Sequence, residues 1–282
     1  MIQRNAIQSW TLLPDVEVIL LGEETGLAEA AHELDARHIS EVKCNSNGTP
    51  LISSMFQLAR ENNNSDLLCI INADMILMPD FVEAAHKSRM LRDKFVLLSQ
   101  RWDLDVTQPL EFAEGWQDRL RFTIHRQGSL HRPAGSDFFL FPQSCYTDIP
   151  NFTIGRAGWD NWMIYKARKE KWSVIDCTPS VMIVHQNHDY SHLPGGKPHY
   201  EHPDTNENIR LAGGQANIRY TILDATHRLV DGTLVRPKMT SQRFTRKLEL
   251  FLRSIFFFLP EAMIENIARP KRWKRRIKRI FR

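Results

Sequence analysis

Leu67-Leu68-Cys69-Ile70-Ile71-Asn72-Ala73-Asp74-Met75-Ile76-Leu77 is an apolar run of strand length with two polar residues, Asn72 and Asp74, inside it. A surface strand alternates apolar and polar residues. A run this continuous belongs to a strand buried on both faces, as in parallel α/β sheets. Open α/β sheets bind ligands at the carboxyl ends of their strands. A carboxylate there, close behind another polar side chain, is placed to hold a divalent cation and, through it, a diphosphate. Alternatively, Asp74 only caps the following segment, Met78-Pro79-Asp80-Phe81-Val82-Glu83.

The flanking sequence alternates strand and helix patterns. Ile2, Ala6, Trp10 and Leu13 recur at helical spacing and predict a helix over 2–13. Val16 to Leu21 reads as a strand ending at Gly22, followed by a helical segment through Ala36. Ile39 to Val42 reads as a short strand, Thr49 to Glu61 as a helix, Phe81 to Leu91 as a helix and Phe95 to Gln100 as a strand. Further on, strands are expected at Asp137–Phe141, Ser173–Asp176 and Ser180–Val184, with a helix from Trp159 to Lys169. The polar, Pro- and Gly-rich segment from His185 to about Ile209 reads as a long loop. This alternation predicts an α/β/α sandwich of Rossmann-like type with a mostly parallel sheet.

A chain of 282 residues with 42% hydrophobic and 25% charged residues is ordinary for a globular protein with a substantial core. The first residues do not resemble a signal peptide, no apolar stretch is long enough to span a bilayer, and the expected location is cytoplasmic. Cys44, Cys69, Cys145 and Cys177 are scattered, without the paired spacing of zinc or redox motifs. The net charge of +4 conceals an asymmetry: Arg269 to Arg282 holds nine basic residues and no acidic one. The remainder therefore carries a formal charge of about −5. Body and tail call for separate interpretation.

Two more stretches carry chemistry. In Val184-His185-Gln186-Asn187-His188-Asp189-Tyr190-Ser191-His192, His185 follows an apolar strand and so emerges at a strand end, where it can join Asp74 around Mn²⁺ or Mg²⁺. The same histidines are compatible with zinc, or with plain polar surface. In Gly155-Arg156-Ala157-Gly158-Trp159-Asp160-Asn161-Trp162, a carboxylate sits between two tryptophans at a helix start. Apolar surroundings raise a carboxylate pKa and make it a better proton acceptor, and the indoles can stack on sugar rings. The bland alternative is a capping aspartate with two core tryptophans.

In this order, the three pieces resemble a GT-A glycosyltransferase, most similar to the family 2-like enzymes that use nucleotide-diphospho-sugars. The resemblance covers roughly residues 1–230 and implies the following roles. Asn72 and Asp74 stand at the Asp-x-Asp metal motif, with His185, or alternatively His188, completing the metal site. Asp160 stands at the catalytic base of inverting members. Glu23 and Glu24 fall where the nucleobase is contacted. Gly135, Ser136 and Asp137, with Trp159 and Trp162, shape the sugar and acceptor pocket. Two departures stand out: Asn72 replaces the first Asp of the motif, and the chain opens at the helix that normally follows the first strand. The expectation is that the start is assigned downstream of that strand.

The tail, 231–282, is expected to be a linker and a membrane-associating segment. Lys247 to Leu259 is apolar but too short and too charged to span, and Trp273, Ile277, Ile280 and Phe281 recur at helical spacing among basic residues. Such a helix lies on an anionic membrane surface. Its apolar face argues against nucleic acid, which a basic run also attracts. Residues 1–230 are then expected to form a catalytic domain taking a nucleotide-diphospho-sugar donor and a glycan or lipid-linked acceptor, peripheral on the inner membrane face. The alternatives are a GT-A-like scaffold without turnover and a metal-dependent hydrolase using His185–His192.

Overall fold

The structure, a computed structural model, describes residues 1–188, 202–256, 263, 264 and 267. It divides into two units, Met1–Arg236 and Pro237–Arg282. The elements of the first unit are α1 (Ile2–Thr11), β1 (Ile19–Leu21), α2 (Leu27–Glu33), β2 (Arg37–Ile39), α3 (Ile52–Glu61), β3 (Leu67–Ile71) and β4 (Met75–Ile76). They continue with α4 (Asp80–Leu91), β5 (Phe95–Leu98), β6 (Trp102–Leu104), α5 (Trp116–Gln127), β7 (Ser129–Leu130), β8 (Phe138–Pro142) and α6 (Trp159–Lys169). The last are β9 (Ser173–Asp176), β10 (Val184–Gln186), α7 (Pro203–Leu211), β11 (His227–Val230) and β12 (Thr233–Val235). The second unit contains α8 (Ser241–Ile255). The boundary follows β12 and does not fall at 230/231, because Thr233–Val235 completes a hairpin with β11.

The central sheet has six strands in the order β12-β11-β9-β5-β8-β3. Its interior strands alternate between two apolar layers, as period-2 side chains must. Phe95 and Leu97 of β5, Phe138 and Leu140 of β8 and Ile175 of β9 face a cluster with Ala6, Ile7 and Trp10 of α1 and Phe81, Val82 and Ala85 of α4. Val96, Leu98, Phe139, Phe141 and Val174 face a second cluster with Ile52 and Phe56 of α3 and Trp159, Trp162 and Met163 of α6. Helices therefore cover both faces of a mixed α/β sheet.

The sheet is mixed, not mostly parallel. β8 runs antiparallel to both β3 and β5, and β12 runs antiparallel to β11, while β5–β9 and β9–β11 are parallel. Phe138–Pro142 is buried throughout, so an antiparallel strand here carries the same uninterrupted apolar signature as a parallel one. Burial was readable in the sequence, and direction was not. A separate parallel pair, β1–β2, stands outside this sheet.

The apolar run at 67–77 is also divided. β3 stops at Ile71, Asn72–Asp74 turn, and β4 joins a second sheet, ordered β4-β10-β6-β7. The expected strand at Ser180–Val184 is displaced to Val184–Gln186, which places His185 within a strand and not beyond its end. Part of the expected loop is helix: α7 starts with Pro203 in its first turn, where no backbone N–H is needed, and His202 accepts from Asp204 N. Residues 189–201, including His192, lie outside the described residues.

Candidate metal centre and acidic cleft

The small sheet sets out the site. In β10, His185 is paired with Met75 of β4 on one side and with Asp103 of β6 on the other, and Asp103 is paired in turn with Ser129 of β7. Side-chain contacts extend this row beyond the strands: Asp74 meets His185, His185 meets Asp103, and Asp103 meets His131. Gly128 permits the tight entry into β7, since any side chain there would meet the Ile124 carbonyl at 2.8 Å.

Asp74 Oδ2 lies 3.4 Å from His185 Nε2 and 3.1 Å from His188 Nε2. The three residues form a group that could hold a metal ion. Asp74 does not cap the next helix: α4 begins at Pro79 and Asp80 without a side-chain cap bond. Asp74 Oδ1 is buried and has no hydrogen-bond partner among the described residues. A buried carboxylate oxygen left open is costly unless something binds it. Burial acts to raise the Asp74 pKa, but hydrogen bonds and charge from His185 and then His188 outweigh it and hold the carboxyl below its ordinary value. An ionised carboxylate with two imidazoles is a donor set that suits manganese and magnesium through oxygen, and zinc through nitrogen.

The backbone of the site is tied from behind by residues that were not picked out from the sequence. Gln186 is fully buried; its amide N–H donates to Asp74 O at 3.1 Å and its side chain donates to Ile2 O at 2.8 Å. Asn5 Nδ2 in turn donates to Gln186 Oε1 at 2.9 Å. Trp10 Nε1 donates to Met75 O at 2.8 Å, so α1 is fastened to both residues flanking this corner.

On the other side lies a second carboxylate pair. Asp137 accepts at Oδ1 from Asn72 Nδ2 (3.1 Å) and Arg101 Nη1 (2.7 Å), and its carbonyl accepts from Asn72 N (2.9 Å). Asn72 therefore orients Asp137. Burial raises the Asp137 pKa, Arg101 opposes that, and the Asp74 charge raises it again. Asp160 occupies the first turn of α6 behind Gly158, whose φ of 112° is open to glycine and strained for other residues. Its Oδ1 is buried and unpartnered. Burial raises the Asp160 pKa, neighbouring backbone N–H groups oppose it, and the Asp137 charge adds to the rise. Asp137 thus lies within electrostatic reach of both Asp74 and Asp160.

No protein-family model matches the chain, and no curated protein is significantly similar to it.

Other residues expected at the site fall elsewhere. Trp159 and Trp162 are core: Trp159 packs on Phe139 at 5.7 Å between ring centroids and Trp162 on Phe152 at 5.1 Å. Both side chains are buried. Glu23 and Glu24 are exposed in the turn after β1, with Glu24 folded back over Gly22. Gly135 and Ser136 lead directly into Asp137.

Proposed function

We propose that the protein is a metal-dependent glycosyltransferase of GT-A type, moving a sugar from a nucleotide-diphospho-sugar to an acceptor hydroxyl with inversion. The observation that supports this reading is the Asp74–His185–His188 group, with Asp137 interacting electrostatically with both Asp74 and Asp160. Asp74, His185 and His188 would hold Mn²⁺ or Mg²⁺, and the unpartnered Asp74 Oδ1 fits that use. The cation, when bound, supplies positive charge that stabilises a departing diphosphate.

Asp160 accepts the proton of the acceptor hydroxyl at Oδ1 as the acceptor oxygen bonds to the anomeric carbon and the bond to the diphosphate oxygen breaks. Burial raises its pKa, which makes it a stronger base than an ordinary aspartate. Asn72 and Arg101 hold Asp137 beside it. The antiparallel β8 set between β3 and β5 and the helices on both faces are compatible with the GT-A resemblance. A metal-dependent hydrolase is the second reading, favoured by one observation: two imidazoles and one carboxylate are also a zinc donor set.

Calorimetry of UDP, GDP and their sugars, with and without Mn²⁺, tests the proposal. Metal-dependent nucleotide binding that disappears in Asp74→Ala is expected. Tight Zn²⁺ binding with product release in the absence of an acceptor would favour hydrolysis instead.

The C-terminal unit adds a partner surface. Among the described residues no helix is long and apolar enough to cross a membrane. In α8, Phe244, Phe251 and Ile255 are exposed while Arg246 and Glu249 are buried, the reverse of a helix facing water. With the basic run at 269–282, α8 supports docking on an anionic membrane surface, where a glycan or lipid-linked acceptor would be met.

A further inference from the structure

We infer that Asp103 is a positioning residue that fixes the ring of His185 so that Nε2 faces the cation position beside Asp74. The inference rests on the metal reading above and assigns a role to a residue outside the ligand set. It starts from backbone register: Asp103 and His185 are paired residues of the adjacent parallel strands β6 and β10. Paired residues of neighbouring strands project to the same face. Asp103 Oδ1 accordingly lies 3.4 Å from His185 Nδ1.

The same Nδ1 has a second neighbour, Asn187 Oδ1, at 3.3 Å. The identity of that atom is fixed, because Asn187 Nδ2 donates to Asp105 Oδ1 at 2.7 Å and leaves the amide oxygen turned toward the histidine. Both groups facing Nδ1 are acceptors, so the ring proton belongs on Nδ1. Nε2, which faces Asp74 Oδ2, is then the nitrogen that would give up its proton and turn its lone pair to the cation. An imidazole ligand is held to one tautomer and one orientation by what its other nitrogen meets.

Asp103 itself is held from two sides. His131 Nδ1 approaches its Oδ2 at 2.6 Å, and Arg101 Nε donates to its Oδ1 at 2.9 Å. Asp103 is thus held at both oxygens, and a carboxylate offers only acceptors to the His185 ring. Arg101 also reaches Asp137 at 2.7 Å, which links the metal corner to the carboxylate beside Asp160.

The test measures binding of Mn²⁺ alone to the full chain and, separately, the ¹⁵N shifts of the His185 ring in metal-free protein. Asp103→Asn is expected to weaken Mn²⁺ binding by about 10–100-fold, the usual effect of losing such a supporting carboxylate. The His185 Nδ1–H signal should shift in the same variant, since only Asn187 Oδ1 still faces it as a native acceptor, while near-ultraviolet circular dichroism stays native. Asp103→Glu, which keeps the charge, should recover part of the affinity. Wild-type Mn²⁺ affinity in Asp103→Asn, with His185→Ala unable to bind, would overturn the role of Asp103 and leave the metal reading standing. If the wild-type chain binds no Mn²⁺, the metal reading fails, and an unchanged His185 Nδ1–H signal in Asp103→Asn would remove the positioning role as well.

Discussion

Asn5 and Gln186 are joined side chain to side chain in the buried interior, Asn5 Nδ2 donating to Gln186 Oε1 at 2.9 Å. The pair closes a loop of bonds: Gln186 also binds Ile2 O and Asp74 O, and Asn5 Oδ1 accepts from Leu110 N at 3.0 Å. Removing either amide strands buried donors and acceptors that have no route to water. Gln186→Leu should therefore cost about 1–3 kcal/mol of stability by urea unfolding, the penalty of unsatisfied buried polar groups. Since Gln186 follows His185 directly, Mn²⁺ affinity should fall alongside. A Gln186→Leu chain with wild-type stability would show that this network contributes little.

Trp162 supplies a cleaner separation of packing from binding. Its ring is 6% exposed and stacked edge-on against Phe152. Truncating such a side chain creates a cavity, and Trp162→Ala should lose about 3–5 kcal/mol of folding free energy. Trp162→Phe, which keeps most of the volume, should recover much of that and leave nucleotide affinity at the wild-type level. A large loss of donor-sugar affinity in the otherwise stable Phe variant would return Trp162 to the substrate pocket.

How far the sequence was legible depends on whether the decisive forces were local. The helix at Trp159–Lys169 and the strand at Ser173–Asp176 have the bounds their periodicity predicts, because apolar spacing and the glycine before α6 are written into adjacent residues. Asp74, His185 and His188 stood out because chemically distinctive side chains interrupt or follow apolar runs. Asp103 did not. In Arg101-Trp102-Asp103-Leu104-Asp105 it reads as one more surface charge, and only the pairing of β6 with β10 gives it a partner more than 80 positions away. Gln186 and Asn5 were hidden for the same reason. The antiparallel course of β8 was illegible because direction leaves no mark on a fully buried strand. In α7 the helix signals of Pro203 and Asp204 were present locally, but the Pro- and Gly-rich composition before them masked the start.

Asp160 makes a prediction about pH with a definite sign. Its pKa is raised in the folded chain, chiefly by burial. Between the ordinary aspartate value of 3.8 and the higher folded value, the native state holds a proton that the unfolded state has released. Stability attributable to this group is therefore full at pH below the ordinary value and declines as pH rises through that window, then stays level. Asp160→Asn removes the charge, so the variant should gain on the wild type as pH rises from acid to neutral in urea titrations. In the proposed transfer Asp160 acts in its ionised form, so the rate should instead rise across the same window. The Asn variant should lose about 10²–10⁴-fold in rate while donor binding is retained. A stable, fully active Asp160→Asn protein would eliminate Asp160 as the base.

The last prediction concerns α8. A helix turned toward water would expose Arg246 and Glu249 and hide its aromatic rings, yet here the charges are buried and Phe244 and Phe251 are 60% and 59% exposed. Phe244, Phe251 and Ile255 fall on one stripe of the helix, at the spacing of successive pairs of turns and one further turn. A lipid surface would repay such an arrangement, an inserted aromatic ring gaining about 1.5–3 kcal/mol on leaving water. Phe244→Ser combined with Phe251→Ser should therefore abolish flotation with anionic phosphatidylserine vesicles while leaving Mn²⁺ binding by the first unit unchanged. Raising salt should weaken attachment of the wild type, because the basic run at 269–282 acts through screened charge. Equal flotation of wild type and double variant would show that the basic run alone carries the attachment, and absence of wild-type flotation would dispose of the membrane partner.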